Sequence, residues 1–151
     1  MNIEVMENKV TVVYNDVNQE IAEEKLWIEK KNDLEYQIKN IPFFAPNLAY
    51  NDIISVENDE GELYFEDLIR ASEHSTIQIV FFNLENIKDV TNDIEKMDCS
   101  WEGIDDQHII AVDVPENVDY KKIREYLDKK FNSKILDYKE ACLSETHSNN
   151  L

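Results

Sequence analysis

The side chains with the clearest potential for acid–base or nucleophilic chemistry are His74 and Ser75, which are adjacent and follow Glu73. A hydroxyl, an imidazole and a carboxylate together could form a relay with Ser75 as nucleophile and His74 as general base. Neighbouring residues on a strand point to opposite faces, however, so these two side chains cannot easily share a hydrogen bond. No nucleophile elbow or glycine-rich oxyanion loop accompanies them. We therefore expect His74 to make a structural hydrogen bond, and we expect no catalytic residues.

The sequence also lacks the patterns that hold metals and cofactors. Zinc sites need converging histidines and cysteines, usually with some at short spacing, and calcium loops need a repeat of oxygen ligands. Asp105-Asp106 has no such repeat, and two glycines cannot build a phosphate-binding loop. With 33 acidic residues, neighbouring carboxylates arise by chance, so we assign no glycosidase pair. The histidines and cysteines are isolated from one another: His74, His108, His147, Cys99 and Cys142. We expect no metal and no cofactor.

Negative charge is the strongest feature of the composition. The formal net charge is −18, and residues 1–120 hold 28 acidic and 8 basic side chains, a net of −20. Such a field repels nucleic acid and anionic lipid and attracts basic surfaces. The alternative interpretation is that the negative charge serves only to keep the protein soluble. The sequence thus favours a basic protein as partner and argues against nucleic acid and membranes.

The segment 85–119 is the densest in acid, with 11 acidic residues against Lys88 and Lys96. Asp89 and Asp93 share a helix face at spacing four, an arrangement that costs a few tenths of a kcal/mol. A predicted hairpin loop adds an aromatic residue ringed by carboxylates, which is typical of a binding hot spot. The alternative is that Trp101 packs into the interior and the loop is only a soluble surface. The predicted partner-binding residues are Asp89, Asp93, Trp101, Glu102, Asp105 and Asp106.

Short strands separated by Asn-Asp turns dominate the first half of the chain. Val10–Tyr14, Glu24–Lys30 and the alternating Leu34, Tyr36 and Ile38 indicate strands, and the last two are joined by a hairpin turn at Asn32-Asp33. Residues 53–57 and 62–69 predict a second hairpin, in which Gly61 is free to take a positive φ. The segment 41–46 predicts a corner whose two phenylalanines fill the core.

The second half alternates strands with helices. Ile77–Phe82 predicts a buried strand, and Ile87, Val90, Ile94 and Met97 predict an amphipathic helix. Two further strands, a helix that Asp119 caps, and a last strand at 135–140 follow. The order β-α-β-β-α-β is that of ferredoxin-like domains. We expect an α+β fold, with an antiparallel β-rich subdomain at 1–74 packed on a ferredoxin-like subdomain at 75–143, and a flexible tail at 144–151.

Several ordered segments resemble a bacterial family catalogued only as a domain of unknown function. They cover about residues 20–143: Glu24–Glu29, Tyr36–Ala45, Ala49–Ile54, Glu73–Ile77, Ile109–Pro115 and Asp137–Cys142. Asn51-Asp52 stands where that family usually has Gly-Asp, and asparagine tolerates the same turn. The resemblance implies one intact bacterial unit and no established activity. Some small bacterial proteins of this kind are similar in size and acidity to immunity proteins, which neutralise toxins delivered between competing cells. That similarity is one of type and not of motif.

The leading hypothesis from the sequence is an acidic immunity or antitoxin-type inhibitor. It would bind a basic cognate toxin, such as a nuclease, and block its active site without catalysis. A small ligand-binding or regulatory ferredoxin-like protein is the alternative. The N-terminal residues lack the basic and apolar regions of a signal peptide, and no apolar run approaches membrane-spanning length, so we expect a cytoplasmic location. The sequence leaves the oligomeric state open.

Overall fold

The computed structural model describes residues 8–103 and 108–151 of the chain. These residues form a mixed α+β fold with nine strands in two sheets and three helices, so the predicted class is confirmed. The strands are β1 (Asn8–Asn15), β2 (Ile21–Lys30), β3 (Tyr36–Ile38), β4 (Ile53–Asp59), β5 (Glu62–Arg70), β6 (Ser75–Phe81), β7 (Ser100–Gly103), β8 (Ile109–Val114) and β9 (Leu136–Cys142). The helices are α1 (Ile87–Lys96), α2 (Tyr120–Asn132) and α3 (Glu145–Asn149).

The first five strands close into a small barrel. Consecutive strands pair antiparallel, as the predicted hairpins require, and β1 then pairs parallel with β5 to complete the ring. The closing contact pairs Val10 with Leu63 and Thr11 with Tyr64. A closed barrel leaves no unpaired strand edge. The hairpins could be predicted from local patterns, whereas the closure joins segments that are distant in the chain.

The barrel core is filled by the inward-facing aliphatic residues of its strands. It consists of Val10, Val12, Leu26, Ile28, Ile38 and Ile54, with Ala45 and Leu48 from the segment after β3. The sequence predicted that both phenylalanines of this segment enter the core, and that prediction is wrong for Phe44, which is 40% exposed. The smaller Ala45 and Leu48 fit the narrow interior of a five-stranded barrel instead.

A single carboxylate fixes the corner at residues 41–46. Glu24 on β2 accepts backbone N–H bonds from Phe43, Phe44 and Ala45 at 2.8 to 2.9 Å. Three converging amides satisfy the carboxylate, and the carboxylate gives an acceptor to three backbone N–H groups that would otherwise lack partners. The corner is therefore ordered by the strand beneath it.

The second sheet has the strand order β7-β8-β6-β9, and all neighbouring strands are antiparallel. Helices α1 and α2 cover one face, burying Val90 and Ile94 of α1 and Ile123 and Leu127 of α2 against the strands. Asp119 caps α2 through the Lys121 N–H, as predicted. None of the helices in the described residues has the length and apolar character needed to span a bilayer.

The opposite face of this sheet meets the corner segment of the barrel through polar contacts. The Gln78 side chain donates to the Phe43 carbonyl at 2.9 Å, and the Thr76 hydroxyl donates to the Leu48 carbonyl at 3.1 Å. From β7, Glu102 accepts the Ile41 N–H at 3.0 Å. Hydrogen bonds of this kind fix the orientation of two packed surfaces more strictly than apolar contact does.

The end of the chain differs from the prediction of a flexible tail at 144–151. Residues 145–149 form α3, which begins where the Ser144 side chain accepts the His147 N–H. Glu73 holds the first turn by accepting from both the backbone N–H and the hydroxyl of Thr146. His147 is only 1% exposed. The tail prediction failed because a five-residue helix carries too few apolar positions to show a periodic pattern.

Candidate functional site

The predicted partner-binding residues on the helix side of the second sheet are partly committed to internal contacts. Asp89 is exposed on α1, but Asp93 is half-buried and accepts the Tyr126 hydroxyl of α2 at 2.7 Å. Trp101 packs against the core beneath the helices, and its indole N–H donates to Glu95 at 2.8 Å. The tryptophan is thus half-buried on the sheet and does not stand as an exposed anchor.

Glu102 lies apart from these three residues. Adjacent residues of β7 face opposite sides of the sheet, and Glu102 bonds Ile41 on the barrel side. Asp105 and Asp106 lie outside the described residues. Within the described part of the chain, the structure brings Asp89, Asp93 and Trp101 to the helix side and leaves Glu102 on the other.

A larger acidic surface lies on the barrel, in a groove of about 630 Å³ between the β2–β3 turn and the β4–β5 hairpin. Four carboxylates line it, Asp33 and Glu35 on one wall and Glu66 and Asp67 on the other. Apolar side chains line it as well: Leu34, Tyr36, Val56, Leu63 and Ile69. Among the described residues, no lysine or arginine belongs to the lining. We call this surface the acidic groove.

Two of the four carboxylates already have cations nearby, and two do not. Asp33 lies 3.7 Å from Lys30, and Glu35 lies 3.9 Å from Arg70. Glu66 and Asp67 are exposed, and neither makes an ion pair or a side-chain hydrogen bond with another described residue. The second wall of the groove therefore presents uncompensated negative charge.

Exposed apolar side chains accompany that charge. Leu34 was predicted on the buried face of a strand, but β3 begins only at Tyr36, and Leu34 is 77% exposed in the preceding turn. Ile69 is 46% exposed. Aliphatic groups next to carboxylates allow a partner to bury apolar surface while its basic side chains pair at the rim.

The sequence contains a charge pattern that includes one wall of this groove, and the prediction did not use it. Between Lys39 and Arg70 there are seven acidic residues and no basic one. The stretch between Lys96 and Lys121 also holds seven acidic residues and no base, so such a run alone does not single out the groove. Six of the seven between Lys39 and Arg70 lie on the β4–β5 hairpin or at its turn, and two of them, Glu66 and Asp67, line the groove. The other four are Glu57, Asp59, Glu60 and Glu62.

A second polar cluster lies at the junction of barrel and sheet. His74 Nδ1 is 2.7 Å from Asp113 Oδ1 of β8, and the Tyr50 ring packs edge-on against the His74 ring with centroids 5.8 Å apart. The hydrogen bond to Asp113 raises the pKa of His74 above its ordinary value, although partial burial opposes it. Nearby Asp52 is 2% exposed and accepts the N–H groups of Ala49 and Ser72. Its pKa is raised because burial outweighs those hydrogen bonds.

The junction predicts a pH dependence of stability. A histidine whose pKa is higher in the folded than in the unfolded state contributes its full stabilisation when the pH is below the unfolded-state pKa, near 6.5. That contribution is lost as the pH rises through the folded-state pKa. The negative charges of Asp113, Asp52 and Glu116 all raise the pKa of His74. We therefore expect His74→Gln to cost more stability at about pH 6 than at about pH 8.5.

Urea unfolding of both proteins across that range measures the difference. His108→Gln is the matched control, because His108 bonds a backbone carbonyl, that of Phe81, and no carboxylate among the described residues. A cost of His74→Gln that stays constant with pH would show that the imidazole is not charged in the fold.

Ser75 pairs with His147 and not with its neighbour His74. The Ser75 hydroxyl is 2.6 Å from His147 Nδ1 and accepts the Ser144 N–H at 2.9 Å. His147 Nε2 donates to the Pro115 carbonyl, because a carbonyl can only accept. Ser75 is 0% and His147 1% exposed, so no substrate reaches this pair. The serine and the two histidines thus serve the docking of α3 and the barrel–sheet junction, and the relay considered for Glu73, His74 and Ser75 is not formed.

A five-stranded barrel joined to a four-stranded sheet with helices on one face defines a mixed α+β protein made mostly of strands. The chain belongs to the family described as Domain of unknown function (DUF4265), whose profile matches residues 24–138. It is similar to a solved structure described as "Novel crystal structure of a hypothetical protein from Neisseria gonorrhoeae". That similarity has a TM-score of 0.82 and 34% identity over 94% of this chain and 99% of the other. No curated protein matches the chain.

Proposed function

We propose that this protein is an acidic immunity or antitoxin-type inhibitor that binds a basic toxin domain and blocks its active site without catalysis. The acidic groove carries the proposal: four carboxylates and exposed aliphatic residues line it, and no base does among the residues that the structure describes. The toxin would place lysine or arginine side chains against Glu66 and Asp67 and an apolar side chain against Leu34.

The charge of the whole chain supports the same function through association kinetics. A net charge of −18 attracts a basic partner over a distance of about 10 Å at moderate salt, and complementary charge speeds encounter. Apolar contact then slows dissociation. Toxins that attack nucleic acid have basic active sites, and a protein that covers such a site needs this combination of charge and apolar surface. Nucleic acid itself and anionic membranes are repelled.

We further propose that residues 75–143 are a ferredoxin-like subdomain and that residues 1–74 are a second unit packed on it. The order β7-β8-β6-β9, the antiparallel pairing and the position of α1 and α2 on one face support this assignment. In this arrangement the sheet is a scaffold, and the barrel carries the binding surface.

The direct test uses a toxin gene that neighbours the gene of this chain and measures protection of cells from its product. Co-expression with this chain is expected to restore growth, and the purified proteins are expected to form a complex that inhibits toxin activity at low salt. The affinity should fall as salt is raised, because exposed charge pairs are screened. Absence of a complex at low salt together with absence of protection would refute the proposed function.

The alternative, a small ligand-binding or regulatory protein, is favoured by a different observation. The junction near His74 contains an open cleft with charged walls. Binding at that cleft would be independent of the acidic groove.

A further inference from the structure

A cleft of about 290 Å³ lies where the barrel and the second sheet meet. Lys39 and Tyr50 form the barrel wall, and Ser100, Glu102 and Asp113 form the sheet wall. Its volume is at the lower end of small-molecule sites, which suits a compact ligand. The residues come from segments far apart in the sequence, so the folded junction creates the cleft.

The barrel wall is positive. The Lys39 ammonium donates to the Asn51 side chain at 3.1 Å and lies 5.1 Å from the centre of the Tyr50 ring. Lys39 is half-buried, yet no carboxylate among the described residues lies within ion-pair distance of it. An ammonium has three donors, and the contacts with described residues use one.

The sheet wall is negative. Asp113 is 4% exposed; its Oδ1 bonds His74, and its Oδ2 accepts no side-chain hydrogen bond from the described residues. Glu102 accepts the Ile41 N–H at Oε2, and its Oε1 accepts no hydrogen bond from the described residues. A carboxylate so nearly buried has lost most of its water, so a donor that reaches its second oxygen would stabilise it.

Opposite charges thus line the two walls without pairing across the cleft. A ligand that completes both walls has an acidic group for Lys39 and a basic group for Glu102 and Asp113. We propose that the cleft binds a free α-amino acid, with its carboxylate at Lys39 and Tyr50 and its ammonium at Glu102 and Asp113. The side chain of the ligand would extend along Ser100, which also lines the cleft.

Because the ligand would contact barrel and sheet together, it would stabilise their junction. Ligands that bind only the folded state raise its stability with concentration. This surface is separate from the acidic groove, so the proposal does not depend on the toxin-inhibitor function.

The experiment is a thermal-shift and calorimetric screen of the full chain against the individual protein amino acids at millimolar concentration. At least one amino acid is expected to raise the melting temperature, whereas acetate and methylammonium, each with only one of the two charges, bind about tenfold more weakly or worse. Lys39→Met and Glu102→Gln are each expected to weaken binding about tenfold or more. The amide introduced by Glu102→Gln retains an oxygen for the Ile41 N–H, and Lys39→Arg should restore part of the affinity.

Lys129→Met on the exposed face of α2 is the matched control for the loss of one positive charge and should leave binding unchanged. Failure of every amino acid to bind would overturn the proposal. Binding that survives both Lys39→Met and Glu102→Gln would overturn it equally, since the ligand would then lie elsewhere. Neither result bears on protection from a toxin, which tests the acidic groove alone.

Discussion

If the chain binds a basic toxin as proposed, replacing Glu66 and Asp67 together by lysine is expected to weaken that binding by about a hundredfold or more. The two carboxylates form the uncompensated wall of the acidic groove, and each reversal turns an attraction into a repulsion. A loss of about 1.4 kcal/mol at each position is enough for a hundredfold effect, and close charge pairs at interfaces reach or exceed that value. Titration calorimetry at low salt measures it.

Folding should survive this change, because both side chains are exposed and make no hydrogen bond or ion pair with other described residues. The matched control is Glu85→Lys with Asp89→Lys, which alters net charge equally but on the helix side of the second sheet. That control also tests the surface predicted from the sequence, to which Asp89 belongs. Equal losses from the two double variants would mean that net charge alone drives binding, and a loss only from the control would place the partner on α1.

His147→Ala is expected to lower the free energy of unfolding by about 3–5 kcal/mol. The substitution removes both side-chain hydrogen bonds of the imidazole and leaves the buried Ser75 hydroxyl and the Pro115 carbonyl without their partner. It also removes a ring that stacks on Tyr120 with centroids 4.9 Å apart, and so opens a cavity. A domain of this size has a total stability of about 5–15 kcal/mol, so the loss is a large share of it.

Denaturant unfolding of the full chain measures that loss. Ser148→Ala is the control on the same helix, because Ser148 is exposed and its side chain makes no hydrogen bond with described residues. An effect of His147→Ala no greater than that of Ser148→Ala would show that α3 contributes little to stability, as the prediction of a tail implies.

Local elements of this fold could be predicted because local chemistry specifies them. The spacing of Ile87, Val90 and Ile94 predicts α1, and Asp119 marks the start of α2. Asn-Asp turns between alternating strands predict the hairpins of the barrel. In each case the residues that determine the element lie within a few positions of one another.

Contacts between distant segments could not be predicted in this way. Barrel closure depends on Val10 meeting Leu63, and burial of His147 depends on Ser75, which is 72 residues away. The helix cap at Ser144 was a usable local signal, but it does not indicate where the helix docks. Only the fold shows that His74 and His147 belong to different networks.

The acidic groove was missed for a related reason. Asp33 and Glu35 belong to one turn and Glu66 and Asp67 to another strand, so counting charge along the chain does not bring them together. The alternation of Leu34 with polar neighbours is typical of a strand. In the folded protein, however, β3 is only three residues long, and Leu34 lies in the turn before it. The net charge of the chain suggests a basic partner, but it does not indicate which surface would carry the binding.

The most direct test of the proposed function is to titrate the proposed toxin partner into the isotopically labelled chain and to map backbone amide shifts by NMR. We predict that the largest perturbations fall on the acidic groove, at residues 33–36, 55–58 and 63–69, and that they diminish as salt is added. Perturbations confined to α1 and β7, or the absence of any perturbation at low salt, would refute binding of a basic partner at the acidic groove.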